Sequence, residues 1–588
     1  MPILAILDVK TGKLNIILSS VPDKADLKWC EWANNERLLC GYYGIERFGY
    51  VLVPFTRLVG INADGRKMKV LLQRKLAGEW SQFQDNVIDW LPDDPRHVLV
   101  QVPVNNGTGV AKLDIYSGST ETEARIREAA RGYMTDGHGE IRLYYYYSDD
   151  IKKWYYKLAD DSSYKELLSA KTTDDLDYYP VGFGANRNLL YVVKPHEGHM
   201  ALWTEDLAAN RKSTLVFANP DVDVESDNVY FRGKYRRLVA VSYETEKPHL
   251  YFFDDLTKVI SNGVSNLFPG KKVIVTDESW DQKYFLIYVY SDRDPGNYFL
   301  FDVAAKQLRK LFPPHPALEG RELAAVNPIR YKAQDGVEIP GYLTLPPGGA
   351  EKNLPLVVLP HGGPSSRDSW GFDILPQFFA AKGYAVLQMN YRGSGGYGED
   401  WEGEGGFRAW RQVMADIKDG VDRLVADGIA DPNRLCIVGW SYGGYASLMS
   451  GIEQPDRYKC IASIAGVSDP LTMIRDYRNY LGAKAVKEFI STDEAVIEQG
   501  SPMRRAAEIK APVLLFHGDK DKNVYITHSE KMEKALKNAG RTVEFIRYKG
   551  VEHQIYRNKY RIDLLSRLGA FLDRHIGPEA GLQAASKP

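Results

Sequence analysis

Residues 435–444 constrain the fold of this chain more than any other segment. The apolar run Leu435-Cys436-Ile437-Val438 is typical of a buried strand, and Gly439-Trp440-Ser441-Tyr442-Gly443 follows it directly. A serine at the apex of a sharp strand-to-helix turn strains the backbone and needs small neighbours, which Gly439 and Gly443 supply. Such a turn directs the serine hydroxyl away from the sheet. A Gly/Ser-rich turn without chemistry is the alternative that this segment alone leaves open.

A nucleophilic serine needs a base, and the base needs a carboxylate to orient it. On strand-turn-helix folds of this kind the acid follows the serine in the chain and the histidine follows the acid. The apolar run 512–516 predicts a strand that leads into the polar loop 517–524. The alternating run 543–548 predicts a further strand, followed by the loop 549–553. This order predicts an acid on the first loop and His553, on the second, as the base.

Several residues compete for these roles. Asp519 and Asp521 share the acid loop, and such a pair is usually a solvated turn, so the residues themselves leave the choice open. His517 begins that loop and is expected to form local hydrogen bonds. His528 and His575 lie on predicted helices, about 529–538 and 559–575, and are expected to be surface or packing residues.

The tetrahedral intermediate of acyl transfer also needs hydrogen-bond donors for its oxyanion. One donor is predicted to be the backbone N–H of Tyr442, the residue after the nucleophile. The apolar run 356–360 leads into His361-Gly362-Gly363-Pro364, where glycines permit close approach of the backbone to a ligand. We predict Gly363 N–H as the second donor. His361 is expected to shape this loop, in preference to acting as a second base.

The chain from Asp335 onward resembles the catalytic domain of the prolyl oligopeptidase family of serine peptidases, most closely its acylaminoacyl-peptidase-like and dipeptidyl aminopeptidase-like members. The resemblance rests on several segments in order: Asp335-Gly336, 341–346, 361–364, 390–398, the serine turn with Gly444-Tyr445, Ser501-Pro502, His517-Gly518 with Asp521, and Gly550 with His553. It implies an α/β-hydrolase fold and the triad Ser441, Asp521 and His553.

Two departures from the family pattern affect the expected specificity. The prolyl oligopeptidase branch uses a tyrosine hydroxyl in its oxyanion hole, and the matching position here is His361. This favours a hole of two backbone N–H groups and argues against strict proline specificity. The chain has no Glu-Glu dipeptide, the pair with which dipeptidyl peptidases of the clan bind a free amino terminus.

The character of the sequence changes at the proline-rich segment 312–316. After it, apolar strands alternate with helical segments, which is typical of a largely parallel α/β sheet. Before it, short alternating runs are separated by polar turns, and a strand–Asp/Asn–turn–strand unit recurs about every 46 to 54 residues. The seven units are marked by Asp8, Asn62, Asp114, Asp160, Asp206, Asp254 and Asp302.

These repeats favour a β-propeller, and the family resemblance implies one too. Seven marks predict seven blades; a pair of β-sandwiches is the less favoured alternative, because it lacks a regular period. The predicted domains are a propeller at 1–315, an α/β-hydrolase domain at 316–578 and a disordered tail at 579–588.

Charge and composition exclude several classes of function. With 75 basic and 77 acidic residues the net charge is −2, which indicates no attraction to nucleic acids or anionic membranes. No stretch is long and apolar enough to span a membrane. Cys436 and Cys460 are predicted to be buried thiols; Cys30 and Cys40 are close enough to pair, but simple packing is favoured. The chain as given predicts a cytoplasmic location, or a periplasmic one if a leader precedes it.

The sequence therefore predicts a serine peptidase that cleaves short peptides, with amino-blocked peptides among the candidate substrates, and needs no metal or cofactor. The propeller is expected to exclude folded proteins from an enclosed site. A carboxylesterase and a non-catalytic propeller scaffold are the alternative functions, and a homo-oligomer is left open. Arg392 follows a predicted strand near the cleft and is named as a substrate ligand, although an ion pair that braces its loop is favoured.

Overall fold

The amino-terminal half of the chain consists of small antiparallel sheets that follow one another along the sequence. A computed structural model describes residues 3–577 except 10, 20–24, 50, 73–74, 77–78, 105, 175, 350, 404, 479 and 481. The predicted tail at 579–588 lies outside these residues. Nearly every one of these sheets is a meander, in which strands that are consecutive in the chain are also neighbours in the sheet.

The first sheet has only two strands, and six sheets with three or four strands form the blades of a β-propeller. The two-stranded sheet is β1 (Ile3–Leu7) and β2 (Leu14–Ser19). Blade 1 is β3 (Asp26–Asn34), β4 (Arg37–Phe48), β5 (Val51–Asn62) and β6 (Lys69–Val70), and the hairpin β7 (Lys75–Leu76) and β8 (Glu79–Trp80) follows it. Blade 2 is β9 (Val87–Asp89), β10 (His97–Val104), β11 (Gly107–Asp114) and β12 (Thr120–Glu128).

The next four blades repeat this pattern with one variation. Blade 3 is β13 (Ala130–Thr135), β14 (Ile141–Tyr147), β15 (Ile151–Tyr156) and β16 (Lys165–Lys171). Blade 4 is β17 (Tyr179–Phe183), β18 (Leu189–His196), β19 (His199–Asp206) and β20 (Lys212–Phe217). Blade 5 is β21 (Val229–Arg232), β22 (Arg237–Glu244) and β23 (Pro248–Phe252), followed by helix α1 (Asp255–Ser265) in place of a fourth strand. Blade 6 is β24 (Lys272–Glu278), β25 (Tyr284–Ser291), β26 (Asp294–Asp302) and β27 (Gln307–Phe312).

The repeat marks fall after the third strand of each blade, but the described residues form six blades and not the seven predicted. The first mark, Asp8, instead follows β1 of the two-stranded sheet. Side chains of this sheet, Leu4 and Ile6 among them, pack against the core of blade 1. On the other side, the Arg309 guanidinium of blade 6 donates to the carbonyl oxygen of Val9. The two-stranded sheet therefore occupies the place in the ring between the first and last blades.

The carboxy-terminal half is built on one eight-stranded sheet. Its spatial order is β28, β29, β31, β30, β32, β33, β34, β35, and all pairs from β31 onward are parallel. The strands are β28 (Val326–Lys332), β29 (Glu338–Thr344), β30 (Leu354–Val358), β31 (Ala385–Met389), β32 (Ala430–Trp440), β33 (Cys460–Ile464), β34 (Val513–Gly518) and β35 (Val543–Tyr548). The predicted domain boundary, between residues 315 and 316, falls in the connection from β27 to β28.

Helices cover both faces of this sheet, as is required when its strands are apolar on both sides. The helices are α2 (Ile374–Ala381), α3 (Glu399–Glu402), α4 (Trp410–Ala426), α5 (Tyr442–Glu453), α6 (Pro470–Tyr477), α7 (Ala483–Ile490), α8 (Glu494–Gln499), α9 (Thr527–Asn538) and α10 (Asn558–Ile576). One core lies between the sheet and α4, α5 and α9, and the other between the sheet and α2 and α10. None of the helices in the described ranges has the length and apolar character that crossing a membrane requires.

The prediction that the cysteines are unpaired thiols is wrong. Cys30 on β3 and Cys40 on β4 are directly opposite each other in the antiparallel pairing and form a disulfide. Cys436 on β32 and Cys460 on β33 are neighbours in the parallel pairing and form the second. Both pairs depend on strand register, which places residues distant in sequence within bonding range.

Candidate active site

Ser441 lies at the turn between β32 and α5, with φ 58° and ψ −120°. A positive φ is costly for a residue with a side chain and persists only where the surrounding structure enforces it. The neighbouring glycines explain how it is enforced. A Cβ atom on Gly439 would lie 2.1 Å from the Gly443 carbonyl oxygen, and one on Gly443 would lie 2.1 Å from the Pro360 carbonyl oxygen. The packing of the turn therefore admits only glycine at both positions.

Asp521 lies on the loop after β34, in a buried position. Its Oδ1 accepts the backbone N–H groups of Asn523 and Val524, both at 2.9 Å. Its Oδ2 lies 2.7 Å from Nδ1 of His553. Burial alone raises the pKa of the Asp521 carboxyl, but hydrogen bonds from His517 and His553 outweigh it and lower the pKa below its ordinary value. The carboxyl is therefore held ionised beside the imidazole.

His553 lies on the loop after β35, which two contacts fix in place. The His553 carbonyl oxygen accepts from Trp440 Nε1 at 3.0 Å, so the residue before the serine also anchors the histidine loop. Asp519, the rival acid, accepts the Gly550 N–H with its Oδ1 at 2.6 Å. The structure thus brings Asp521 to the imidazole and uses Asp519 to join the two loops.

The other histidines occupy separate positions. His517 is fully buried, with Nε2 2.8 Å from the Val524 carbonyl oxygen and 3.2 Å from Asp521 Oδ2. The sequence predicted its local bonding but missed the contact with the acid. His528 is buried on α9, and its Nδ1 accepts the Ser468 N–H at 3.1 Å. His575 lies in the last turn of α10 and packs edge-on against Phe571.

Ser441 and His553 line one cavity of about 370 Å³ together with both predicted oxyanion donors, Tyr442 and Gly363. Tyr442 is the first residue of α5, so its N–H has no acceptor within the helix. Among the described residues no acceptor is found for Gly363 N–H. The rest of the wall is mainly apolar. It consists of Phe407, Val467, Met473, Tyr477, Asn523 and Val524.

His361 supports the loop that carries Gly363. Its ring stacks on Tyr391 at 4.3 Å, and its Nε2 lies 2.8 Å from Ser394 Oγ. Burial lowers the pKa of His361 to about 4, so the imidazole is neutral at pH 7. These contacts agree with the structural role predicted for His361.

Arg392 does not line the cavity. Its guanidinium forms ion pairs with Asp416 on α4 and with Asp335 in the turn between β28 and β29. Its Nε also donates to Asp416 at 3.1 Å. With these donors occupied, the geometry supports the bracing role and does not support Arg392 as a substrate ligand.

Blade 1 of the propeller contacts both loops that carry the candidate acid and base. Arg47 Nη2 donates to the Asp519 carbonyl oxygen at 3.0 Å, and Lys520 Nζ donates to the Ile45 carbonyl oxygen at 3.2 Å. Burial and the neighbouring Glu552, the residue before His553, raise the pKa of the Tyr43 hydroxyl. Sequence reasoning missed these contacts, because nothing in a blade's alternating pattern indicates which loop its hairpin meets.

Within the described part of the chain, no three His, Cys, Asp or Glu side chains are grouped so that they could hold a metal ion. The site thus combines a serine on a strained turn, an imidazole paired with an ionised carboxylate, and backbone N–H donors around one cavity. These groups can perform acyl transfer through a covalent intermediate.

Comparison with known proteins gives the same chemistry. The profile of the prolyl oligopeptidase family matches residues 370–579. The chain carries a prolyl oligopeptidase family domain. It is a serine-type peptidase, and the comparisons do not favour an esterase or a scaffold.

Individual relatives match to different extents. Dipeptidyl aminopeptidase BIII of Pseudoxanthomonas mexicana is 26% identical over 506 residues, which cover 83% of this chain and 73% of the relative. The acylamino-acid-releasing enzyme of Sus scrofa is 26% identical over 252 residues, which cover 41% of this chain and 34% of the relative. The solved structure of an acylaminoacyl peptidase in complex with Z-Gly-Gly-Phe-chloromethyl ketone has a TM-score of 0.66 at 18% identity, covering 94% of this chain and 96% of the other. This last similarity concerns the fold alone.

Proposed function

We propose that this peptidase cleaves short, amino-blocked peptides after an apolar residue, using Ser441, His553 and Asp521 as its catalytic triad. The observation that carries the proposal is the single cavity where Ser441, His553, Gly363 and Tyr442 meet an apolar wall. The 2.7 Å contact between His553 Nδ1 and Asp521 leaves Nε2 of the imidazole free to face the serine.

The proposed reaction follows from these positions. Ser441 Oγ attacks the scissile carbonyl while His553 Nε2 takes the hydroxyl proton, and the Asp521 carboxylate stabilises the imidazolium that forms. The Tyr442 and Gly363 N–H groups bind the oxyanion. His553 then donates its proton to the leaving amine, and a water molecule, activated by the same imidazole, releases the acyl group from Ser441.

The cavity wall supports a preference for an apolar side chain on the acyl side of the bond. Phe407, Val467 and Met473 offer no charge to a buried substrate group. Burying a Leu- or Phe-sized side chain is worth about 1.5–3 kcal/mol, whereas burying an unpaired carboxylate is unfavourable. The same wall therefore favours Phe over Glu at this position.

The arrangement of the propeller supports a size limit on substrates. Blade 1 contacts the loops of Asp521 and His553, and blade 5 contacts the loops around Arg367, whose Nη1 donates to the Glu244 carbonyl oxygen at 3.1 Å. We propose that the propeller, held against the catalytic half by these contacts, restricts the approach of folded proteins to Ser441. We propose a propeller domain at 1–315 and a catalytic domain at 316–578 on this basis.

The test compares Z-Gly-Gly-Phe p-nitroanilide with Z-Gly-Gly-Glu p-nitroanilide and with Gly-Gly-Phe p-nitroanilide, which has a free amino group. We expect kcat/KM to be at least about tenfold higher for the blocked Phe substrate than for either other substrate. Ser441→Ala should abolish all three activities. A faster reaction with the free amino group would replace the blocked-peptide proposal by an aminopeptidase one. Equal cleavage of an intact folded protein and its peptides would overturn the size limit.

The compartment is proposed from cysteine chemistry. The cytoplasm is the prediction from the chain as given. The two disulfides favour the periplasmic alternative, because disulfides persist in oxidising compartments. Free thiols in protein purified without reductant would favour the cytoplasm instead.

A further inference from the structure

The buried His517 is joined to the candidate acid by a closed set of contacts. Its Nε2 lies 2.8 Å from the Val524 carbonyl oxygen and 3.2 Å from Asp521 Oδ2. The Val524 N–H in turn donates to Asp521 Oδ1 at 2.9 Å. On its other side, Nδ1 of His517 lies 2.7 Å from Ser529 Oγ on α9. Both imidazole nitrogens are thus occupied in a position that excludes water.

These partners assign the tautomer of His517. The Val524 carbonyl and the Asp521 carboxylate are acceptors only, so Nε2 must carry a proton. In the neutral ring Nδ1 is then an acceptor, and the Ser529 hydroxyl is the donor to it. Asp521 Oδ2 therefore faces two imidazole N–H groups, one from His517 and one from His553.

We propose that His517 is a positioning residue that holds the Asp521 carboxylate in the orientation His553 requires and shares its negative charge. This inference rests on the proposed triad. The Nε2 proton ties the carboxylate to Val524 and so fixes the loop, while Ser529 prevents the imidazole from rotating away. Asp521 thereby presents Oδ2 to His553 with part of its charge already neutralised.

Other titratable groups lie near His517, Asp521 and His553, and their effects on the pH profile must be distinguished from the effect of His517. They are Tyr477 on α6, His528 on α9, Glu552 beside His553, and Lys520 and Lys522 on the acid loop. Burial raises the pKa of Tyr477 and lowers the pKa of His528, so both tend to remain neutral. Burial also raises the pKa of Glu552, which brings its titration toward the acidic limb of activity. Each variant below is therefore measured with and without Glu552→Gln.

The test uses His517→Gln and His517→Asn, which are matched in polarity. The glutamine amide nitrogen reaches the place of Nε2 and keeps its hydrogen bond, whereas the asparagine nitrogen reaches only the place of Nδ1. The readout is the second-order rate of labelling of Ser441 by a fluorophosphonate across pH. This rate depends on the triad but not on the identity of the natural substrate.

We expect Ser441 of H517N to be labelled roughly tenfold more slowly than Ser441 of the wild type, each at its optimum pH. This factor corresponds to the loss of one hydrogen bond to a charged group. Loss of the Nε2 donor leaves more negative charge on Asp521 to stabilise protonated His553, so the acidic limb of the pH profile should move to higher pH. H517Q should have the wild-type labelling rate and the wild-type position of the acidic limb. His528→Leu, a buried histidine without contact to Asp521, should leave the limb in place.

Two results together would overturn the proposal and leave His517 a packing residue. The acidic limb of the H517N pH profile would coincide with that of the wild type, and the labelling rate would fall only in proportion to the loss of folded protein. The proposal is also overturned if H517Q behaves as H517N. If instead the wild-type protein is not labelled, or Ser441→Ala is labelled, the proposed triad fails and His517 is not the cause. Thermal unfolding of each variant separates loss of fold from loss of positioning.

Discussion

Arg47 of the propeller donates a hydrogen bond to the main chain of Asp519, two residues before the candidate acid Asp521, at 3.0 Å. The contact joins two domains at the loop on which the proposed chemistry depends. Together with the bond from Lys520 to the Ile45 carbonyl oxygen, it ties the acid loop to the hairpin of blade 1. Docking of the propeller is therefore expected to fix the geometry of the acid, as well as to restrict access.

The first prediction concerns this contact. Arg47→Ala should lower kcat by roughly threefold to tenfold, with little change in KM. This factor corresponds to the loss of one hydrogen bond that orders the acid loop. Arg66→Ala is the matched control, because Arg66 lies in the same blade with its side chain 84% exposed and, within the described residues, forms an ion pair with its neighbour Asp64. Equal kinetics in R47A and R66A would mean that blade 1 does not position the acid loop.

The two acids of one loop give the second prediction. Asp521→Asn should lower kcat by about 10⁴-fold, because the amide cannot stabilise the imidazolium and favours the wrong tautomer of His553. Asp519→Asn keeps an oxygen that can accept from Gly550 N–H and should retain most of the activity. Steady-state kinetics on one blocked peptide compares the two. A larger loss in D519N than in D521N would reverse the assignment of the acid.

Specificity gives the third prediction. Met473 lies on α6 and its side chain is only partly buried at the cavity wall, so the position can tolerate a carboxylate. Met473→Glu should raise the ratio of kcat/KM for a Lys substrate to that for a Phe substrate by about tenfold or more, because it places a negative charge in an apolar wall. Arg475→Glu changes an exposed residue of the same helix outside the cavity wall and should leave this ratio near the wild-type value. An unchanged ratio in M473E would exclude Met473 from the specificity pocket.

The parts of the site that could be predicted from sequence are those encoded locally. The glycines around Ser441 enforce the turn by contacts within a few residues or with the next loop, so the serine is recognisable from its own segment. The strand at Val543–Tyr548 was predicted with its observed bounds, and α10 differs from its prediction by one residue at each end. Strong apolar periodicity and nearby turn residues determine these elements.

The parts that could not be predicted depend on packing between distant segments. The Cys436–Cys460 bond requires the register of β32 against β33, which the spacing of two cysteines does not contain. Arg392 is occupied by Asp416 because α4 packs beside its loop. The repeat period counts Asp8 as a full blade, although the sheet at that place in the ring has two described strands, because a turn pattern marks the position of a unit and not its number of strands.

Asp368, a partly exposed residue at the domain interface with one inaccessible carboxylate oxygen, gives the fourth prediction. Asp368 Oδ1 accepts from Gln388 Nε2 at 2.9 Å, but Oδ2 is inaccessible and has no partner within the described residues. Burial and the nearby Asp373 raise the pKa of Asp368 to about 8. Because the pKa is higher in the folded than in the unfolded chain, the folded state loses stability relative to the unfolded one as pH rises from about 4 to about 8.

Asp368→Asn removes this titration and keeps the bond from Gln388. Its melting temperature should exceed the wild-type value by more at pH 8.5 than at pH 5. Asp64→Asn, an exposed carboxyl with its side chain 56% accessible, should show no such pH-dependent gain. A constant difference between D368N and wild type across this range would mean that Asp368 is ionised throughout.

The two disulfides give the fifth prediction. Thiol titration of the protein, purified without reductant and unfolded in guanidinium, should detect no free thiol, and prior reduction should expose all four cysteines. Cys436 and Cys460 are fully buried, so reduction of the folded protein should reach this pair only after unfolding. A cross-link between β32 and β33 restricts the unfolded chain, so Cys436→Ala with Cys460→Ala should lower stability by roughly 2–4 kcal/mol. Four thiols in the unreduced protein would contradict both bonds and favour the cytoplasm as the compartment.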